Sequence, residues 1–255
     1  MRFLMMGDVV GSPGRRAVQK LVPELRDELK LDLVIANAEN VAHGSGMTPE
    51  TVQDLLEAGV DVLTSGNHAL AKREIIPYLD SEMPIIRPLN YPPGSPGRGY
   101  VFYRGVLIVN VIGRVFMQAV DDPFRAMDRL LDEVGSRAKT IIVDCHTEAT
   151  SEANGMGWYL NGRVSAVLGT HTHIGTVDAR ILPKGTAYIT DIGMVGPRDS
   201  VIGNDVGESI QRFLTPMHIR LNVASGPVLF HSVVVEVDDE TGRATSIKRV
   251  DREVP

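Results

Sequence analysis

The chain has 255 residues, 43% hydrophobic and 23% charged, the balance of an ordinary folded protein and not of a disordered or fibrous one. Twenty-six Lys and Arg against 32 Asp and Glu leave a formal charge of −6, so diffuse binding of a nucleic-acid backbone is disfavoured and no stable nucleic-acid complex is expected. The lone Cys145 cannot form an internal disulfide, the apolar run 3–6 is too short for a secretory signal, and no stretch approaches the ~20 apolar residues of a membrane span, so a cytoplasmic protein without membrane contact is expected.

Residues 2–6 read as a strand, followed by a helix from about Gly14 with Val18, Leu21, Val22, Leu25 and Leu29 on one face and Pro23 as an irregularity. Residues 33–37 form the second expected strand. Thr48-Pro49-Glu50 then offers an N-cap with proline at the first helical position, and Gly59 closes that helix. Residues 60–64 read as a third strand, with Ile85 and Ile86 marking a fourth. The Pro- and Gly-rich stretch 91–99 reads as a surface loop, and 100–103 with 106–111 as a hairpin around Arg104-Gly105. Asp122-Pro123 starts another helix; 140–144 and 166–168 are strands. The last third reads as β-rich, with runs 179–182, 187–190, 228–237 and 244–250. No repeat or linker interrupts the chain, so one α/β domain over residues 1–255 is expected, with a parallel-rich half and an antiparallel-rich half.

Five apolar runs each finish in residues able to bind metal: Gly7-Asp8, Glu39-Asn40, Gly66-Asn67-His68, His146, and His171-Thr172-His173. Loops at the carboxyl ends of parallel strands converge on one edge, so these residues are expected to meet. Four of the seven histidines occupy the five endings. Taken singly, each piece has a plainer role. Asp8 could cap a helix, Asn67-His68 could be turn chemistry, and His146 could be a satisfied core histidine. If 171–173 is extended, His171 and His173 share a face, and two inward imidazoles without a metal would need two sets of hydrogen-bond partners.

Carboxylate, amide oxygen and imidazole together suit Mn, Fe or Zn better than Mg. Seven ligands, Asp8, Glu39, Asn40, Asn67, His146, His171 and His173, exceed what one catalytic ion takes while leaving room for water, so two transition-metal ions are implied. A bridging carboxylate would hold them roughly 3.5–4 Å apart, and a bridging water with its pKa lowered towards ~7 would be the nucleophile for an in-line displacement at phosphorus. No Ser or Cys nucleophile is then needed, and Cys145 is expected to be a small buried side chain facing away from His146.

Gly66-Asn67-His68 and Gly169-Thr170-His171-Thr172-His173 resemble the GNH and GHxH motifs of calcineurin-like metallophosphoesterases. The segments GDVVG, NAEN, SGNHA, HTEATSE, GTHTH and TDIGMVGPRDSVIG extend the resemblance to the YmdB-like subgroup across nearly the whole chain. The resemblance implies a four-layer α/β/β/α sandwich and phosphodiesterase activity on cyclic nucleotides, 2′,3′-cyclic ones included. It implies that Asp8 and His173 serve the first metal, that Asn67, His146 and His171 serve the second, and that Glu39 bridges. His68 would stand near the substrate as general acid. Three features depart from the wider family. Its D-x-H reads Asp8-Val9-Val10 here, with Asn40 as the candidate replacement ligand; Glu39 stands where many relatives use Asp; and Ala69 follows His68 where an acid is common. Three loops, 147–162, 191–205 and 91–99, are expected to shape the substrate pocket.

The main alternative is a phosphomonoesterase. A non-catalytic regulatory protein could instead bind metal, or a nucleotide through Gly7, Gly11 and Gly14, although that spacing is not the dinucleotide fingerprint. The small phosphodiester or nucleotide substrate is the expected partner, and a homo-oligomer is left open.

Overall fold

In the computed structural model, which describes residues 1–255, the first half of the chain forms β1 (Arg2–Val9), α1 (Gly11–Leu29), β2 (Leu33–Asn37), α2 (Pro49–Glu57), β3 (Val62–Thr64), α3 (Ile76–Leu79), β4 (Tyr100–Tyr103), β5 (Val106–Ile112) and α4 (Pro123–Val134). The second half adds β6 (Thr140–His146), α5 (Thr150–Leu160), β7 (Ala166–Thr170), β8 (Arg180–Ile181), β9 (Ala187–Ile189) and β10 (Met194–Pro197). It ends with α6 (Val206–Leu214), β11 (Val228–Phe230), β12 (Ser232–Val237), β13 (Ala244–Arg249) and β14 (Arg252–Val254). Local chemistry sets the helix starts. The Thr48 hydroxyl accepts the Thr51 N–H to cap α2, and the Asp122 carboxylate accepts the N–H groups of Phe124 and Arg125 at 2.9 and 3.1 Å to cap α4. Each cap is worth ~1 kcal/mol.

The strands form two sheets. In the first, β1 runs parallel to β2, β2 runs parallel to β3, and β1 pairs antiparallel with β12, which pairs with β13. The last residues of β1 also pair parallel with β10, Asp8 opposite Met194, and β10 leads to β11 and β14. The second sheet has the order β4-β5-β6-β7-β9-β8, with β5, β6, β7 and β9 parallel.

Alternation along the strands divides the core into three layers. Phe3 and Met5 of β1 meet Ile108 of β5, Ile142 of β6 and Leu168 of β7 between the sheets. Leu4 and Met6 face the other way, against Val18, Val22 and Leu25 of α1 and Leu55 of α2. Val143 and Cys145 of β6 pack outward on Met127 and Leu130 of α4 and Met156 of α5. The architecture is therefore the expected four-layer α/β/β/α sandwich, and Cys145 does face away from His146. Truncating a fully buried ring such as Phe3 in the middle layer would cost ~3–5 kcal/mol. No helix is long and apolar enough to cross a membrane.

Several expectations need correction. α1 begins at Gly11 and not near Gly14, and the 85–86 strand reduces to one bridge between Leu63 and Ile85, because the chain touches the sheet edge only there. The run 228–237 breaks at His231, whose N–H and C=O both bond to the β1–β10 side, dividing it into β11 and β12. The strands of the last third do not form an antiparallel half of their own; β9 and β10 run parallel to β7 and β1. β10 to β14 complete the sheet begun by β1, while β8 and β9 join the other. The segment 147–162 is mostly helix α5, 191–205 contains β10, and α6 adds a helix to the part read as β-rich.

Candidate metal centre

The two sheets present their carboxyl ends to the same edge. From the first come Asp8 at the end of β1, Glu39 and Asn40 after β2, and Asn67 and His68 after β3; from the second come His146 at the end of β6, and His171 and His173 after β7. A cavity of about 280 Å³ opens there, lined by Glu39, Asn40, His68, Glu148, His171 and His173 among others. Asp8 and His146, both fully buried, lie beneath it. All eight sequence-derived site residues are therefore drawn to one place.

At the centre stands His146 Nε2. It is 3.0 Å from Asn67 Oδ1, 3.2 Å from Glu39 Oε1 and 3.0 Å from His171 Nδ1. A single ring N–H cannot serve three acceptors, whereas a cation placed among four such atoms satisfies all of them. Glu39, His146 and His171 indeed bring ligand atoms within 4.8 Å of one another. On the other side of Glu39, His173 Nε2 lies 3.9 Å from Asp8 Oδ1. Asp8 Oδ1 and Asn40 Oδ1 are buried without any hydrogen-bond partner. Two such orphaned oxygens are costly unless something electropositive meets them. Asn40 Nδ2 donates to the Gly44 carbonyl at 3.0 Å, which turns the amide oxygen away from that wall. The donor set fits metal ions, and the residues present could hold two.

The backbone explains how these groups converge. Beyond β7 the chain is not extended: His171 and His173 have φ values of 107° and 66°, so the shared-face reading of this segment is wrong in its geometry. A tight turn brings both rings to the cavity instead. Asp191 holds that turn, its Oδ2 accepting both the N–H and the hydroxyl of Thr172 at 2.9 Å and its Oδ1 the Gly193 N–H at 2.7 Å. The His171 N–H donates to Asp8 Oδ2 at 3.0 Å, and the Ile202 carbonyl lies 2.8 Å from His173 Nδ1, leaving Nε2 towards Asp8. At Gly66 a β-carbon would fall on the His146 ring and the Glu39 carboxylate, so only glycine lets the β3 turn approach.

Electrostatics point the same way. Burial pushes Asp8 up to about 7 against the opposing pull of His146 and the His171 N–H. Burial also opposes ionisation of Glu39, yet His146 and His68 hold it down to about 2. Burial and the neighbouring His146 press His171 down to about 3. Three buried carboxylates, Asp8, Glu39 and Asp191, gather at this edge, and against the opposing effect of burial Glu39 and Asp8 push the central His146 up to about 9, an environment that attracts cations.

His68 stands apart from the ligand atoms. Its backbone N–H donates to Glu39 Oε2 at 2.9 Å, and its ring Nδ1 lies 3.2 Å from Ser45 Oγ. Ser45 is therefore the group that orients the ring, a role the sequence left unassigned. The sequence reading also missed Glu148, whose Oε2 is 3.0 Å from His171 Nε2, and the buried layer of Asn37, Asp144 and Thr170 below His146. A polar residue inside a continuous apolar run, as Asp144 is in TIIVDC, was the available signal. Of the three expected pocket segments, 147–162 contributes Glu148 and 191–205 contributes Ile202 and Asn204. The loop 91–99 contributes nothing to the lining; its Tyr91 hydroxyl instead braces the Gly66 carbonyl at 2.8 Å.

The family model described as YmdB-like protein matches residues 4–250. The chain belongs to the YmdB-like family. Among its relatives, a 2′,3′-cyclic-nucleotide 2′-phosphodiesterase of Bacillus subtilis (strain 168) is 45% identical over 254 residues, covering 98% of this chain and 96% of its own. A crystal structure of a hypothetical protein from Thermus thermophilus superposes with a TM-score of 0.94 at 47% identity, covering both chains fully. A novel phosphatase from Mycoplasma pneumoniae superposes with a TM-score of 0.93 at 32% identity, over 99% of this chain and 93% of that one. The YmdB-like fold is thus shared end to end.

Proposed function

We propose that this chain is a two-metal phosphodiesterase that opens cyclic phosphodiesters of nucleotides, 2′,3′-cyclic ones foremost and 3′,5′-cyclic ones as a second class. That it is a phosphoric ester hydrolase follows from its family; the proposal lies in the substrate, the ions and the residue roles. The observation that carries it is the pair of buried oxygens without partners, Asn40 Oδ1 in the wall of a cavity also lined by Glu39, His171 and His173, and Asp8 Oδ1 beneath it, 3.9 Å from His173 Nε2.

Asp8, Asn40 and His173 would hold one ion, Asn67, His146 and His171 the other, with Glu39 shared between them. Iron or manganese suits this donor set best, with zinc next. When bound, the ions supply the positive charge that polarises the phosphoryl oxygens and eases deprotonation of a water. The remaining work falls to the chain. Glu39 is fixed by the His68 N–H, Asn40 by Gly44, and the His171 turn by Asp191, so the ligand atoms stay aligned before substrate arrives. As the ring P–O bond breaks, His68 gives a proton to the departing ribose oxygen, with Ser45 holding the imidazole. The similarity to the Bacillus subtilis phosphodiesterase supports the 2′,3′-cyclic assignment. The buried free thiol of Cys145 suits a reducing, cytoplasmic setting.

Metal analysis of the purified protein, combined with kinetics on 2′,3′-cyclic, 3′,5′-cyclic and monoester nucleotides, tests the reading. About two transition-metal ions per chain and preference for a cyclic diester are expected. Turnover confined to monoesters would instead establish a phosphatase.

A further inference from the structure

Next to the metal centre lies a second cavity, of about 380 Å³, lined by Ser12, His43, Lys72, Arg220, Asn222 and Val223 with Leu221. It lies on the far side of the 39–46 turn. Gly44 and Asn40 of that turn face the metal cavity, whereas His43 faces this one. Val223 closes the wall between them: a β-carbon at Gly11 would stand 3.0 Å, and one at Gly44 3.1 Å, from its side chain. Lys72 runs along the same turn, its Cγ 2.8 Å from where a Gly46 β-carbon would be.

The chemistry of the lining is unusual for this protein. Overall charge is −6, yet none of the seven lining residues is acidic and three can carry positive charge. The side chains of His43, Lys72 and Arg220 make no ion pair with any carboxylate of the chain, although arginines and the N-terminus form 11 ion pairs elsewhere. Glu208, which reaches the lining at Asn222, is spent on the N–H and amide of that residue, at 2.7 Å each. Ser12 adds a hydroxyl able to bind an oxyanion. Unpaired cations gathered in a concavity focus a positive field that an anion would meet.

We infer that this cavity is a second phosphate subsite, taking a phosphate on the 5′ side of the group cleaved at the metal centre. This rests on the reading above. In a 2′,3′-cyclic nucleotide both ribose hydroxyls are consumed by the ring, so a further phosphate must sit on the 5′ oxygen. The substrate so selected carries two phosphates: a 5′-phosphorylated cyclic nucleotide, or an RNA oligonucleotide whose 3′ end is a 2′,3′-cyclic phosphate. Phosphate contacts of this kind position a chain without reading its bases. A 3′,5′-cyclic nucleotide has no 5′ oxygen free and gains nothing from the subsite.

The test compares kcat/KM of the metal-loaded enzyme on three substrates: a 2′,3′-cyclic mononucleotide, the same with a 5′-phosphate, and a dinucleotide ending in the cyclic phosphate. Wild type should favour at least one of the latter two roughly tenfold or more, as hydrogen bonds to charged groups allow. The double variant Lys72→Ala/Arg220→Ala should lose that advantage and keep its rate on the plain mononucleotide. Gain with the 5′-phosphate alone assigns a monoester subsite; gain with the dinucleotide assigns an RNA end. No gain with either, or a gain the double variant retains, overturns the proposal. Should no cyclic nucleotide be turned over at all, the functional reading fails by itself. Calorimetric binding of a 5′-phosphorylated dinucleotide with a free 3′ hydroxyl then decides the subsite: equal Kd in wild type and double variant rejects it, a weakened Kd in the variant upholds it.

Discussion

Thr170 links His146 to Asp144: its hydroxyl is 2.9 Å from His146 Nδ1 and 2.7 Å from Asp144 Oδ1. Asp144 is an acceptor throughout, since the Thr64 hydroxyl and the Asn37 amide also point at it. The Thr170 hydroxyl therefore donates downward and accepts from His146 Nδ1–H, which leaves the Nε2 lone pair facing Glu39, Asn67 and His171. Thr170→Val, of nearly equal shape, should keep the fold and weaken metal affinity ~10–100-fold. Metal competition titrations alongside thermal melts check this; unchanged affinity would show that the tautomer is set some other way.

Gly66→Ala should empty the centre without unfolding the protein. The added methyl lands on the His146 ring and the Glu39 carboxylate, while the backbone there is not among the positive-φ glycines. Circular dichroism should remain that of wild type, and elemental analysis should find the metal content sharply reduced.

His68→Ala should retain its metals and lose ~10²–10⁴ in kcat on a cyclic nucleotide, the usual contribution of a positioned proton donor. An aryl phosphodiester, whose phenolate leaves unaided, should slow far less. Ser45→Ala should shift both rates in the same sense by a smaller factor, because it removes only the group 3.2 Å from the ring. Equal slowing on both substrates would mean that the proton comes from another group.

Acid should weaken the fold partly through Asp178. Burial pushes its carboxyl up, but the hydroxyls of Thr176 and Thr190, each 2.6 Å away, and the Thr190 N–H outweigh this and hold it below its ordinary value of 3.8. With the folded value depressed, its stabilisation is complete above the ordinary value and is lost as pH falls through the folded one. Urea midpoints of the metal-free protein should therefore drop on acidification below about pH 4, and Asp178→Asn should flatten that drop.

The sequence carried the ligands because each ends an apolar run, and a run that stops at Asp, Asn or His announces a strand delivering a polar group to a sheet edge. It carried the four layers only through family resemblance, since periodicity cannot tell which sheet receives β10 or β12; that depends on β1 changing partners along its length. α5 and α6 were missed for different reasons. Gly155 and Gly157 make 150–160 look like a loop, and α6 turns Ile210, Phe213 and Leu214 to solvent, so neither shows a clean buried stripe. The group that orients His68 was invisible because Ser45 lies 23 residues away and meets it only through the fold of the 39–46 turn.

The ligand-type groups are divided between the sheets, with Asp8, Glu39, Asn40 and Asn67 on one and His146, His171 and His173 on the other. An ion held by groups from both would be a rivet through the sandwich, and an unfolded chain could not assemble it. Loading would then add to the folding free energy by mass action. The metal-free protein should part first at this edge, where proteases find the turns 39–46 and 171–173. Metal supply would thus govern how long each copy survives in the cell, independently of how fast it works.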